Sequence, residues 1–285
     1  MGANGNITDA ALGIICGRGD LPQLLAKACR DAGRAYYVVK FENIPLGWTT
    51  EHPVISAVFE QTGSLLDNLK QRNCTQVVMA GAMVRSHLDP DRLDDRGREL
   101  ALILAETMQA GDDKTLSSII QFFEGNGITV TAAHEVLPSL IPEVGVLTNV
   151  APNIDDTSDA NRAAEIVNSL GRLDVGQGAV VAQGICLGLE SIQGTDTMLD
   201  FVASHRAGYS HNPDGGRGVL LKAPKPQQDL RVDLPTIGPD SVRRAHKAGL
   251  SGIVIQSGGV MVLHEEETIT VANELGLFLW VRPKG

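Results

Sequence analysis

The chain has 285 residues, 43% of them hydrophobic and 20% charged, a balance that supports folded cores and a length that favours two domains. Its formal net charge of -10, without a basic block, excludes DNA and RNA as ordinary partners. Cys16, Cys29, Cys74 and Cys186 are scattered without CxxC or Cys/His spacing, which argues against a disulfide framework and a zinc site and for a reduced, cytoplasmic setting.

Residues 1–11 read as a polar, Gly/Asn-rich tail without an apolar signal region, and no stretch approaches the roughly twenty apolar residues that span a bilayer. Leu12 to Cys16 is a short apolar run, followed by GRGDLP and an amphipathic stretch from Leu21 to Ala32 that stops at Gly33: strand, turn, helix. Asp20 is placed to cap that helix, and Pro22 is tolerated in its first turn. Such a turn aims backbone N–H groups of Gly17, Arg18 and Gly19 at a phosphate or nucleotide, although glycines there serve tight packing equally well. With Gly13, Gly17 and Gly19 followed by Pro22, the dinucleotide fingerprint GxGxxG is not matched, which weighs against a nicotinamide-dependent enzyme.

Strands at Tyr36–Phe41, Val54–Phe59 and Gln76–Ala80, with a helix at Ser64–Arg72, continue the alternation that makes a parallel sheet. Arg85 follows the last of these strands and so belongs near the ligand-binding carboxyl edge. A long helix is expected at Leu93–Ala110, an interruption at GDDK (111–114), a helix at Thr115–Glu124 and a final strand at Thr129–Ala132. Asp112 and Asp113 are caps for that second helix or ligand contacts. Residues 133–148 break the rhythm with Pro138, Pro142 and Gly145 and read as the domain junction, in which His134 is a candidate by its place at a cleft between domains.

The second domain opens with a helix at Asp155–Leu170. A glycine-punctuated turn feeds a strand at Ala179–Ala182, and Ile185–Glu190 continues in extended form. GTDTML (194–199) reads as a tight loop in which Thr195 and Asp196 cap the next helix or lie beside a metal or phosphate. A strand at Gly218–Lys222 delivers KAPKPQQDLRVDLPTIG (222–238) to the sheet edge. There Pro224, Pro226 and Pro235 push Ala223, Lys225 and Leu234 toward extended backbone, so the segment is expected to be extended and stiff. It carries Lys222, Lys225 and Arg231 beside Asp229 and Asp233. Cations that clamp phosphoryl oxygens, next to an Asp that holds a divalent metal or a water, suit phosphate chemistry, so this is the expected reaction site. A helix at Ser241–Ala248, a strand at Gly252–Gln256 with a hairpin partner at Val260–Leu263, a helix at Glu265–Leu275 and a strand at Leu277–Val281 complete the chain.

Taken together, GRGDLP, GDD, AHEVL, LGRLDVGQGAVV, QGTDTML, KAPKPQQDLRVDLPTIG, AGLSGI and GLF resemble the LpxI family over nearly the whole chain past residue 11. Ala82, Ser86, Leu170 and Gln193 depart from its pattern. The resemblance implies an α/β protein of two domains: a nucleotide-binding, Rossmann-like parallel sheet over 12–132, a linker over 133–152, and a catalytic α/β domain with a mixed sheet over 153–285. It implies a Mg²⁺-dependent hydrolase, with Mn²⁺ as a substitute, cleaving UDP-2,3-diacylglucosamine to UMP and 2,3-diacylglucosamine 1-phosphate (lipid X) in lipid A synthesis.

On that reading Asp233 is the catalytic aspartate. Asp196 shares the metal with it, and Lys222, Lys225 and Arg231 offset phosphoryl charge. Gly17, Arg18, Gly19, Asp20, Arg85, Asp112, Asp113, His134, Glu135, Gln177 and Thr195 contact substrate. The expected partners are an acylated UDP-sugar and the inner face of the inner membrane, approached peripherally from the cytoplasm, with a second copy of the chain as a candidate partner. A sugar-nucleotide-binding or sensor protein without turnover is the rival from another class.

Overall fold

The computed structural model describes residues 10–83, 88–107, 112–206, 212, 215–226 and 228–284. The chain divides into two compact units, Met1–Pro138 and Ser139–Gly285.

The first unit runs β1 (Ala11–Cys16), α1 (Leu21–Asp31), β2 (Tyr36–Phe41), β3 (Val54–Ala57), α2 (Thr62–Gln71), β4 (Cys74–Ala80), α3 (Asp95–Thr107), α4 (Asp112–Gly125), β5 (Thr129–Thr131) and α5 (Ala133–Val136). Its five strands pair in the order β3-β2-β1-β4-β5, all parallel. β1, ALGIIC, is buried at every position, as a central strand covered on both faces requires. Helix α4 starts three residues before the expected Thr115, so Asp112 and Asp113 belong to its first turn and do not precede it.

The second unit runs β6 (Gly145–Val146), α6 (Ile154–Arg172), β7 (Gly178–Ala182), β8 (Ile185–Leu189), α7 (Gly194–His205), β9 (Val219–Lys222), β10 (Thr236–Ile237), α8 (Pro239–Lys247), β11 (Gly252–Gln256), β12 (Met261–Val262), α9 (Glu265–Glu274) and β13 (Phe278–Arg282). Six strands form a mixed sheet, β6-β13-β11-β9-β7-β8, in which β9, β11 and β13 are parallel and β7 runs against both neighbours. Strand alternation divides the apolar side chains between two cores. Ala179, Val181, Val219 and Leu221 pack with Ala160, Ala163 and Val167 of α6. Val180 and Leu220 point the other way, into a core with Leu199 and Val202 of α7, Val242 and Ala245 of α8 and Val271 of α9.

The α/β class, the parallel first sheet and the mixed second sheet agree with expectation, while two local expectations do not hold. Residues 194–199 are the first turns of α7 and not a tight loop; they begin at Gly194, whose φ of +84° suits glycine. Met261–Val262 pairs in parallel with Thr236–Ile237 and not as a hairpin with β11, because the chain after β11 is recruited by the returning end of the 222–238 segment. Within the expected junction, α5 packs against α1 and β4, and Gly145–Val146 pairs antiparallel with β13.

Candidate active site

Four pieces of chain converge on the carboxyl edge of the second sheet. β9 ends there at Lys222, and β8, parallel to it, ends at Leu189 and Glu190. β7 runs the opposite way, so its beginning lies at the same edge: Gly178 is the register partner of Lys222, with Gln177 just before it. Helix α7, which follows β8, starts nearby with Thr195 and Asp196.

Lys222 sits at the centre, only 4% exposed. Its Nζ donates to Thr195 Oγ1 at 2.7 Å and to the Thr236 carbonyl at 3.3 Å, and Glu190 Oε1 is 3.8 Å away. Burial pushes the Lys222 ammonium down from its ordinary pKa, and the charges of Glu190, Asp196 and Asp233 pull it back up. One buried ammonium therefore lies in the field of three carboxylates, two of which were expected to hold a metal.

The proline-rich segment is less extended than its three prolines suggest. Gln228 N–H donates to the Lys225 carbonyl, and Val232 and Asp233 N–H both donate to the Asp229 carbonyl. Side chains set these turns: Asp229 Oδ1 accepts from Arg231 N–H at 3.0 Å and Gln228 Oε1 from Lys225 N–H at 2.9 Å. Local side-chain bonds of this kind outweigh the extended preference that proline imposes only on its immediate predecessor. The prolines instead dock against glycines elsewhere: a Cβ on Gly171 would come 2.8 Å from Pro226 Cδ, and one on Gly259 2.6 Å from Pro224 Cδ.

Asp233 is fixed by Gln228 Nε2, which donates to its Oδ2 and also to Gln177 Oε1 at 3.1 Å. The other expected cations differ from Lys222. Lys225 is paired with Asp174, and Arg231 forks onto Asp229 through Nε and Nη2 at 3.0 and 2.8 Å. That guanidinium holds the Asp229 carboxyl below its usual range. Both were expected to offset phosphoryl charge; here each is paired with a carboxylate, which steers it and lowers its net pull on an anion. Asp196 is half-exposed and lies 3.4 Å from Arg244 Nε, whose guanidinium also pairs with Asp200. Neither Thr195 nor Asp196 serves as the expected cap: Gln193 stands at the N-cap of α7, without a side-chain bond.

Reading the residues in order did not find Glu190, Gln228, Asp174 or Arg244. Glu190 had a signal, as the one charge closing the apolar strand ICLGL. The others become visible only when distant segments meet.

In the first unit, the glycine turn was expected to present free N–H groups. Instead Gly17 N–H donates to the Ala80 carbonyl at 2.7 Å, and Arg18 and Ala82 exchange N–H···O bonds at 2.8 and 2.9 Å. A Cβ on Gly17 would lie 2.5 Å from the Gly81 carbonyl oxygen, so close backbone crossing explains that glycine. Gly19 has φ +95° and open space around it. Asp20 occupies the N-cap of α1 without a capping side-chain bond. Asp113 contributes its carbonyl to Ser117 Oγ. Glu135 closes the start of α5, accepting from Thr131 Oγ1 and from Ala132 N–H. His134 Nδ1 is buried without a hydrogen-bond partner among the described residues. Arg85, and the side chain of Asp112, lie outside the described residues.

A divalent cation of the Mg²⁺ type prefers hard oxygen donors and in phosphoryl sites takes one or two carboxylates, completing its shell with water and phosphate oxygens. Asp196 and Asp233 are such donors. No group of three or more His, Cys, Asp or Glu side chains arranged for a metal occurs among the described residues, so the donor set fits a cation that substrate completes and not a closed protein cage.

Residues 11–140 match the LpxI N-terminal domain and residues 143–280 the LpxI C-terminal domain. The chain is 37% identical over 268 residues to the UDP-2,3-diacylglucosamine pyrophosphatase LpxI of Caulobacter vibrioides, covering 94% of this chain and 96% of that one. Among solved structures it is similar to CobK precorrin-6A reductase (TM-score 0.34, 13% identity, 97% of this chain and 88% of that one) and to an isoflavone reductase (TM-score 0.30, 12% identity, 97% and 79%). Two domain matches that together span nearly every residue, joined by that near full-length relative, place the chain in the LpxI family.

Proposed function

We propose that this protein is a UDP-2,3-diacylglucosamine pyrophosphatase of lipid A synthesis, releasing UMP and 2,3-diacylglucosamine 1-phosphate with a divalent cation, and that its chemistry takes place at the carboxyl edge of the second sheet. The observation that carries the site is the buried Lys222 ammonium set among Thr195, Asp196 and Asp233. In the hydrolysis, water adds to one phosphorus while the bridging P–O bond breaks. The departing phosphate keeps the bridging oxygen with its electron pair, and the proton lost by the attacking water passes to solvent. Asp233, oriented by Gln228, positions that water. Lys222, already desolvated, stabilises charge building on the phosphoryl oxygens. Asp196 and Asp233 would hold the cation. A cation held there would supply neutralisation of the phosphate charge. Lys225 and Arg231, each tethered by a carboxylate, orient the phosphates more than they attract them.

The diacyl substrate and a surface encounter with the inner membrane are supported by the rim of this site. Leu173 and Val175 flank Asp174, Leu189 and Ile192 flank Glu190, and Leu230 lies between Asp229 and Arg231; all five are exposed, Leu173 and Ile192 at 74%. No described helix is long and apolar enough to cross a membrane.

The test is incubation of the purified protein with the acylated UDP-sugar. UMP should appear with Mg²⁺ or Mn²⁺, stop in EDTA and return on adding metal back. Binding without UMP release under any metal would favour a sensor, and full turnover in chelator would remove the cation from the proposal. Replacing Leu173 and Ile192 together by Ser should weaken association with anionic lipid vesicles, and unchanged association would count against the membrane role.

A further inference from the structure

We infer that Glu190 is the positioning residue for Lys222, acting on the reaction only through that ammonium. This rests on the role proposed above for Lys222. Glu190 follows the last residue of β8 and is buried, its side chain 8% exposed against 5% for Lys222. An ammonium has three N–H donors. Thr195 Oγ1 and the Thr236 carbonyl take two directions, and the Glu190 carboxylate, at 3.8 Å, draws the charge from a third side. Together these fix where Nζ lies.

Glu190 is itself held in a cradle. Its N–H donates to the Gly178 carbonyl at 2.9 Å. A Cβ on Gly176 would come 2.0 Å from the Glu190 carbonyl oxygen, and one on Gly178 would come 2.3 Å from Glu190 Oε2. Neither glycine has a positive φ, so the GQG sequence is required by the space Glu190 occupies and not by backbone conformation. Gly178 is thus kept bare to admit the carboxylate beside the lysine, while Gly176 makes room for the Glu190 backbone. Glu190 Oε2 makes no hydrogen bond among the described residues. A buried carboxylate left half-satisfied is costly, and the neighbouring ammonium is what offsets that cost here.

The other two carboxylates near Lys222 have different surroundings. Asp196 is half-exposed and engaged by Arg244, and Asp233 is engaged by Gln228. Both are placed to meet substrate. Of the three, Glu190 alone is buried, and its attraction keeps the ammonium from collapsing onto the other two acids, so that Lys222 is aimed before substrate arrives.

The experiment is a double-mutant cycle on kcat and KM with the acylated UDP-sugar, using Glu190→Gln, Lys222→Met and the double variant, each checked for folding by thermal unfolding. Lys222→Met should lose about a hundredfold or more in kcat. Glu190→Gln should lose about ten- to hundredfold in kcat with KM little changed, as supporting residues do. In the Lys222→Met background, Glu190→Gln should have no further effect on kcat, since there is no ammonium left to aim. Multiplicative losses in the double variant, or a Glu190→Gln enzyme with normal kcat beside a crippled Lys222→Met, would overturn the inference while leaving the proposed site intact. Normal kcat in Lys222→Met would instead overturn the role of Lys222 itself, and the inference with it. Should Glu190→Gln fail to fold, Glu190→Asp keeps the charge but withdraws it by one methylene. It should lower kcat in the wild-type background and leave it unchanged in Lys222→Met, and equal effects in both would overturn the inference.

Discussion

In the first sheet every strand runs the same way, so its carboxyl edge receives from each strand only the residues that follow it. There the polar backbone serves the chain itself: Gly17 N–H is bound to Ala80, and Arg18 and Ala82 close a two-way bridge. In the second sheet β7 runs against β9, and one edge receives Gln177, just before β7, and Gly178, its first residue, together with the residues after β8 and β9. The antiparallel insertion brings to that edge a segment that precedes its strand, beside segments that follow theirs. This is how Gln177, Glu190, Thr195 and Lys222 meet with Asp233, whereas the purely parallel edge collects no comparable cluster among its described residues.

The strongest way to break that contrast is to remove the group assigned the chemistry. Asp233→Ala should lose on the order of a thousandfold in kcat while folding normally and still binding substrate, because its carboxylate acts mainly in the transition state. Near-normal turnover, or a dead Asp196→Ala beside an active Asp233→Ala, would move the chemistry to another residue. A smaller effect sharpens the reading of the first edge. Gly17→Ala forces a Cβ against backbone at 2.5 Å and should cost about 1–3 kcal/mol of stability, read as a lower midpoint in urea with kcat per folded molecule unchanged. A stable Gly17→Ala protein with a raised KM would instead make that turn a ligand contact. Gly19→Val is a poorer probe, since φ +95° strains any side chain there.

The smallest effect concerns the tethered cation. Arg231 holds Asp229 below its ordinary value of 3.8, so the carboxylate form is favoured by folding. The stability it supplies is complete above that ordinary value and is lost as pH falls through the lower folded one. For a pair this accessible the amount is under about 1 kcal/mol. Wild type and Asp229→Asn should therefore differ slightly in unfolding midpoint at neutral pH and converge in strong acid. A gap that persists in acid would show that Asp229 acts through its turn and not through its charge.

Much of this was legible in the order of residues. The short apolar run at Leu12 to Cys16, followed by a glycine turn and an amphipathic stretch, read as a strand, and the strand–helix alternation after it implied a parallel sheet. The 222–238 segment stood out because charges and prolines are crowded there, and Lys222 and Asp233 do lie in one cluster. What was not legible depends on contacts between distant positions. Asp174 meets Lys225 across 51 positions, a pairing with no spacing rule, whereas Arg231 takes Asp229 only two residues away. Thr195 read as a cap because its type caps helices; it is instead bonded to Lys222, a preference that tertiary geometry overrode. The pairing of β12 with β10 was missed because two-residue strands carry no periodicity.

The bond from Lys222 Nζ to the Thr236 carbonyl joins two positions 14 apart, so side chain and backbone together form a closed ring containing Asp229, Arg231 and Asp233. The free energy of closing a ring rises only logarithmically with its length, by about 0.6 kcal/mol per doubling. Lengthening it by a few residues between Gln228 and Asp233 would barely trouble folding, yet it would shift the phase of Asp233 around the ring relative to the lysine that closes it. On the proposed site the ring works as a ruler, its length set by the reaction more than by stability, and insertions and deletions there should be far more damaging to turnover than their effect on folding suggests.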